Sequence, residues 1–235
     1  MNSTLASARY KGMLWNCPLS ESHSHDLLGH LDMSNARSIV DLGCGWGELL
    51  LRAAKASEVK AVGIDTDPTV LERARRASSE RHLEVTFVQQ STQDVHDTYD
   101  RAICIGSSHA LNGSRDMLRR LAELVPRGKV LIGDMCWERP PTKAALAAFS
   151  EVPNLMDLIL MCRETGWEIL HLSVTDQREW DDFESAHRRG FREWLVDNPD
   201  HAQAEDVRKQ QNSRETDYFT VYRGVLSFAY LVLGR

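Results

Sequence analysis

The chain reads as an α/β protein built on a parallel sheet with helices packed on both faces. Three observations carry that expectation. Short apolar runs alternate with helical stretches over the first two thirds of the sequence. One run, Ser38-Ile39-Val40-Asp41, passes through Gly43, Gly45 and Gly47 straight into a helical pattern. A second, Lys60-Ala61-Val62-Gly63-Ile64-Asp65, ends in an acid shortly before Pro68 opens another helix.

The elements follow in order. The first strand is expected over Ser38–Asp41. The glycines after it supply unusual torsions and let the backbone approach a ligand closely. The helix that follows, Glu48–Ala56, brings its unpaired N–H groups to the same place. The second strand, Ala61–Asp65, leads into a helix over Pro68–Glu80, where the proline's missing N–H costs little. The third strand is Leu83–Gln89, with a short turn near Thr92, and the fourth is Arg101–Ile105, with a helix over Asn112–Leu124. Pro126-Arg127-Gly128 connects tightly into a fifth strand, Val130–Met135. The sixth is Glu168–Val174, and the C-terminal apolar run Val225–Leu233 makes the seventh.

Two parts fall outside this frame. Residues 1–36 form an N-terminal helical cap that includes Trp15, Pro18 and a helical stretch over Ser20–Leu31. Residues 175–223 form an insert far longer than the two to five residues of a hairpin connection, split into two helices near Asn198-Pro199. Along its first helix Trp180, Phe183, His187, Phe191 and Trp194 recur at helical spacing, with Asp181, Asp182, Arg188, Arg189 and Arg192 on the other face. Such a stripe is either an ordinary packing face or a lid whose rings meet a substrate.

The spacing of Gly43, Gly45 and Gly47 departs from the G-x-G-x-x-G of dinucleotide enzymes. With Asp41 two residues ahead, it resembles motif I of the class I S-adenosylmethionine-dependent methyltransferases. Asp65 falls where a ribose-binding carboxylate belongs, about 20 residues beyond the glycine turn. Trp137-Glu138 at a strand end, followed by Pro140-Pro141, resembles the bacterial small-molecule, natural-product branch. The resemblance is specific over residues 36–140. It implies a Rossmann-like, seven-stranded, mostly parallel sheet with the last strand antiparallel, and S-adenosyl-L-methionine as cofactor. One methyltransferase domain is expected: a cap at 1–36, a cofactor core at 37–174, a helical lid at 175–223 between strands six and seven, and the last strand at 224–235.

The same resemblance distributes the cofactor contacts. Gly43, Cys44 and Gly45 would run along the methionine part, with Asp41 near its amino group. Asp65 would hold the ribose, and Thr66 and Asp67 would lie beside the adenine. The acid that family members often place after the third strand is missing from Gln89-Gln90-Ser91-Thr92-Gln93, which leaves Ser91, Thr92 or Gln93 for the base. Ile105, at the end of the fourth strand just before Ser107-Ser108-His109, would also contact the cofactor. Methyl transfer needs an aligned nucleophile and excluded water, and a group that takes a proton helps when the acceptor carries one. His109 is the first candidate for that group, at a strand end where such sheets bind ligands. His187 on the aromatic stripe is the second, and Glu138 would bind an N–H or amine. Trp137, Trp180, Tyr10, Trp15, Tyr218 and Tyr222 would form an aromatic cage around the acceptor.

Composition narrows the partners. The net charge is −6, with 34 acids against 28 bases, which weighs against nucleic acid as substrate. There is no run of 18 apolar residues and no basic-then-apolar start, so neither a membrane span nor a signal peptide is expected. The five cysteines lack C-x-x-C spacing and read as buried apolar residues of a cytoplasmic protein. No metal site is expected, because His23 and His25 point to different sides of a helix. The expected activity is methyl transfer to a small, aromatic or heteroaromatic molecule, an indole-type ring carbon among them. O- or N-methylation of a phenol or amine stays open. The rivals are a nicotinamide dehydrogenase and a cofactor-binding partner protein without turnover. Oligomeric state stays open.

Overall fold

The computed structural model describes residues 5–235; of the expected N-terminal cap, residues 1–4 lie outside the described residues. The described residues form seven strands: β1 (Ser38–Leu42), β2 (Lys60–Asp65), β3 (Val85–Gln89), β4 (Arg101–Ile105), β5 (Lys129–Trp137), β6 (Glu168–Val174) and β7 (Leu226–Gly234). They form one sheet in the order β3-β2-β1-β4-β5-β7-β6. The pairs β3–β2, β2–β1, β1–β4 and β4–β5 are parallel, whereas β7 runs antiparallel to β6. After β3 the chain crosses back to the far side of β1, so the strand order reverses between β1 and β4. In such sheets the crevice beyond the carboxyl ends at that reversal is where ligands bind.

The helices are α1 (Leu5–Ala8), α2 (Glu21–Leu31), α3 (Glu48–Lys55), α4 (Pro68–Glu80), α5 (Ser114–Leu124), α6 (Lys143–Ala148), α7 (Leu155–Glu164), α8 (Gln177–Asp197) and α9 (Ala204–Asp217). Helix α5 starts two residues later than expected. Asn112 (φ 61°) and Gly113 (φ 99°) sit in left-handed backbone and cannot belong to it. Helices α6 and α7 are findings of the structure, capped by the side chains of Thr142 and Asn154. The long insert does divide near Asn198, and α9 runs on into a π-helical turn over Tyr218–Tyr222.

By its contacts the chain divides into two compact units. The larger takes Ser20–Cys136, Pro153–Val174 and Phe228–Arg235; the smaller takes the described residues up to Leu19, Trp137–Val152 and Thr175–Ser227. The stretch read as one N-terminal cap is therefore shared, with α2 in the larger unit. There His23 Nε2 lies 2.7 Å from Ser173 Oγ, and His25 is exposed.

The larger unit's core joins Val40, Leu42, Ile64, Ala102, Cys104, Met117, Leu121, Trp167 and Leu231, all at most 2% exposed. Each fully buried aliphatic of this kind contributes about 1.5–3 kcal/mol of transfer free energy. The smaller unit has its own cluster of Ala8, Trp194, Leu195, Ala204 and Val207. All five cysteines are free thiols, Cys44 half-buried and the other four buried. Among the described residues, no helix is long and apolar enough to cross a membrane.

Candidate active site

The chain leaves β1 through a turn whose three glycines all take positive φ: 74° at Gly43, 53° at Gly45 and 70° at Gly47. Their side-chain positions differ in kind. A Cβ on Gly43 would lie 2.1 Å from Ser107 Oγ, and one on Gly47 would lie 2.7 Å from the Phe87 ring. Nothing stands within 4 Å of the same position on Gly45. Two glycines therefore make room for protein, and the middle one faces open space.

Two backbone donors hold the turn to the next strand. Gly43 and Cys44 N–H both donate to the Ile64 carbonyl, at 2.8 and 2.9 Å. Asp65, at the end of β2, accepts from Gly45 N–H through Oδ2 at 2.8 Å and from Asp67 N–H through Oδ1 at 3.0 Å. A carboxylate offers about four acceptor directions, so each oxygen keeps one free. Asp67 caps α4 by accepting from Thr69 N–H, and Thr66 beside it is exposed.

Asp41 stands apart. It is 5% exposed, and among the described residues its carboxylate has no hydrogen bond or ion pair. Burial, reinforced by the nearby charge of Asp65, pushes its pKa up to about 8. Burial and the same two acids also push the Cys44 thiol up, so it stays protonated and unreactive.

In the loop after β3, Gln93 donates from Nε2 to the Ala110 carbonyl at 3.0 Å, and Ser91 Oγ accepts from Gln93 N–H at 3.2 Å. Thr92 is 4% exposed, and its hydroxyl is buried without a partner among the described residues. Across the reversal point, β4 ends at half-buried Ile105, followed by Gly106, buried Ser107 and a 3₁₀ turn over Ser108–Leu111. His109 is exposed on that turn. One strand further on, buried Asp134 accepts from Ser114 Oγ at 2.6 Å. Asp134 and the Phe87 packing were not anticipated from sequence.

The smaller unit holds the remaining expected residues. Its rings form a chain of edge contacts: Trp137–Phe149 at 6.3 Å, Phe149–Tyr222 at 5.2 Å, Tyr222–Trp180 at 6.4 Å, Trp180–Phe183 at 6.1 Å and Phe183–His187 at 6.3 Å. Tyr218 is 1% exposed; its hydroxyl donates to Asp181 at 2.5 Å and accepts from Gln177 at 3.0 Å. Tyr222 donates to Glu184 at 3.0 Å. Tyr10 and Trp15 are half-buried, and Glu138 is exposed. Burial, then the charges of Arg214, Arg9 and Arg188, lower the His187 pKa to about 4 against the opposing pull of Glu184.

One expectation for α8 is corrected. Arg188 does not belong to a solvated face: it is 6% exposed and donates to Glu184 at 3.3 Å. Arg214 meets the same carboxylate through Nε and Nη2, both at 2.9 Å. Helix α9 thus gives α8 a second buried face, built from charge rather than rings.

The pocket suits the nucleoside cofactor that the sequence implies. A buried carboxylate without a partner calls for a cation, as the amino group of a methionine moiety provides. The open position over Gly45 admits the ligand's backbone approach, and Asp65 keeps acceptor directions for ribose hydroxyls.

Comparison with known proteins agrees. The family described as "Methyltransferase domain" matches residues 39–128. The chain is 28% identical over 217 residues to the uncharacterised protein YjhP of Escherichia coli strain K12, spanning 88% of each. The solved structure of YjhP superposes with a TM-score of 0.86. An S-adenosylmethionine-dependent methyltransferase from Geobacter sulfurreducens, solved with S-adenosyl-L-homocysteine, superposes over 100% of both chains at a TM-score of 0.88 and 25% identity. O-methyltransferase resE of Aspergillus sclerotiorum is 27% identical over 173 residues, which cover 68% of this chain and 65% of that one. With the glycine turn, Asp41 and Asp65 in place on a sheet of this topology, the chain is a class I S-adenosylmethionine-dependent methyltransferase.

Proposed function

We propose that this methyltransferase acts on a small molecule of aromatic or heteroaromatic character, with His109 taking the proton that the acceptor loses. The observation that carries the reading is the reversal point itself: an unpartnered Asp41 and a glycine turn on β1, with an exposed imidazole on the turn after neighbouring β4.

S-adenosylmethionine, when bound, supplies a methyl carbon made electrophilic by its sulfonium. Asp41 would hold the cationic amino group, Asp65 the ribose hydroxyls, and the backbone of Gly43, Cys44 and Gly45 the chain between them. Thr66, Asp67 and the loop Ser91, Thr92, Gln93 would contact the base, and Ile105 would complete the cofactor contacts. Of the two histidines, His109 is the better base. A group whose pKa has fallen to about 4, as at His187, takes up a proton poorly near neutrality. Glu138, which is exposed, would bind an amine or N–H of the acceptor.

The acceptor's aromatic character is supported by the rings of the smaller unit, Trp137, Trp180, Tyr218 and Tyr222, together with Tyr10 and Trp15. An indole-type ring fits this chemistry, because attack from its carbon requires loss of an N–H proton. Likeness to an O-methyltransferase favours a phenolic oxygen as the second reading. Either acceptor suits a natural-product pathway of the cytoplasm.

The test is His109→Ala. Turnover, followed as labelled methyl entering a small-molecule extract, should fall about 10²–10⁴-fold while affinity for S-adenosylhomocysteine holds. Turnover within about threefold of wild type would discard the base, since acid–base groups contribute far more than that. No methyl transfer by the wild type into any extract would favour a binding protein instead.

A further inference from the structure

The turn between β4 and α5 has little regular structure of its own. It carries His109 between Gly106 (φ 66°) and the left-handed pair Asn112 and Gly113. Such a segment holds one shape only when its surroundings fix it. Groups from three other strand ends do so: the backbone of Gly43 and the side chains of Gln93 and Asp134. At its entry, Ser107 Oγ lies 3.4 Å from the Gly43 carbonyl and occupies the space a Cβ on Gly43 would need. In its middle, Gln93 reaches over from the loop after β3 and donates to the carbonyl of Ala110, the residue next to His109. At its exit, Ser114 donates to Asp134, which is 7% exposed and turns its other oxygen to Met135 N–H at 2.9 Å.

We infer that Gln93 and Asp134 are positioning residues for the methyl-transfer step, acting through the turn that carries His109; the inference rests on the reading of His109 given above. Asp134 is a buried acid with a short, charge-assisted bond to Ser114, and that bond fixes where α5 begins. Gln93 stands in the stretch where related enzymes place an acid for the adenine. An acid could not donate to the Ala110 carbonyl, whereas the glutamine amide does. The departure from the family pattern thus has a use: the loop beside the base also clamps the turn beside the reacting carbon. Shifting a catalytic group by about 1 Å costs up to about 10²-fold in rate.

Ser114→Ala and Gln93→Leu test this with small changes. Each should lower kcat about 10–100-fold for labelled methyl entering the same extract. The KM for S-adenosylmethionine should stay near wild type in Ser114→Ala, whose side chain is not among the cofactor contacts. Amide exchange across residues 106–113 should speed up in the S-adenosylhomocysteine complex. Asp134→Asn, which keeps an acceptor for Ser114, should recover most of the rate lost in Asp134→Ala. If Ser114→Ala and Gln93→Leu turn over normally while His109→Ala does not, the positioning role is wrong and the base assignment stands. If His109→Ala turns over normally, the base assignment falls and the inference falls with it.

Discussion

Asp41 and Glu184 are buried alike, 5% and 1% exposed, yet they meet opposite surroundings. Glu184 is answered in full: Arg214 binds both its oxygens, Arg188 adds a third contact and Tyr222 a fourth. Asp41 has no partner among the described residues. A buried charge is tolerated when it is paired and hydrogen-bonded, and is costly otherwise. The insert therefore uses its carboxylate to lock α8 against α9. The β1 end keeps its carboxylate unanswered, at a cost to the unliganded fold that a cationic ligand removes.

The contrast can be broken at either end. Removing Glu184 leaves buried Arg188 with Glu215 alone and takes away Arg214's carboxylate, so Glu184→Leu should lose up to about 3–5 kcal/mol in urea unfolding, the usual cost of breaking a buried pair from one side. A loss below about 1 kcal/mol, the scale of an exposed pair, would make the network ornamental. Asp41→Asn should behave the opposite way, with stability at pH 8 preserved or improved. Affinity for S-adenosylhomocysteine, by calorimetry, should fall about 10–100-fold, the size of one charge-assisted hydrogen bond. Equal destabilisation of both variants would erase the distinction.

The smallest effect is in pH. Asp41 has its pKa raised from 3.8 to about 8 in the fold, so its stabilising contribution is complete below pH 4 and is lost as pH rises through 8. The Tm of the cofactor-free protein should therefore fall between about pH 4 and pH 8, while affinity for S-adenosylhomocysteine rises by up to about tenfold per unit until pH 8. Both slopes should vanish in Asp41→Asn. A flat affinity profile in the wild type would mean that the ligand's cation sits elsewhere.

The larger unit was legible because its signals are local. Alternating apolar runs, Pro68 at a helix start and glycines at every second position each report on a few neighbouring residues, and β4 and β6 fall on the expected bounds. What sequence reading missed depends on contacts across the chain. Phe87 fills the space left by Gly47 and Gly63, a reason for those glycines that their spacing does not reveal. Arg188 looked solvated because periodicity assigns only one buried face to α8, and the second face exists because Arg214 and Glu215 arrive from α9. Helix α7 keeps Met156 and Leu160 exposed, which blurs the apolar stripe that would have announced it. Asp134 was visible as an acid at a strand end, but its bond to Ser114 spans a strand and a helix.

Asp65 has one more implication. Its carboxylate is clamped by Gly45 and Asp67 before any nucleoside arrives, so little rotamer freedom is left to surrender on binding. Lengthening it to glutamate would keep the charge but move the acceptors by a methylene and release Gly45. A residue usually regarded as a hand for the sugar is also the latch of the loop beside it, and selection on either duty constrains the other.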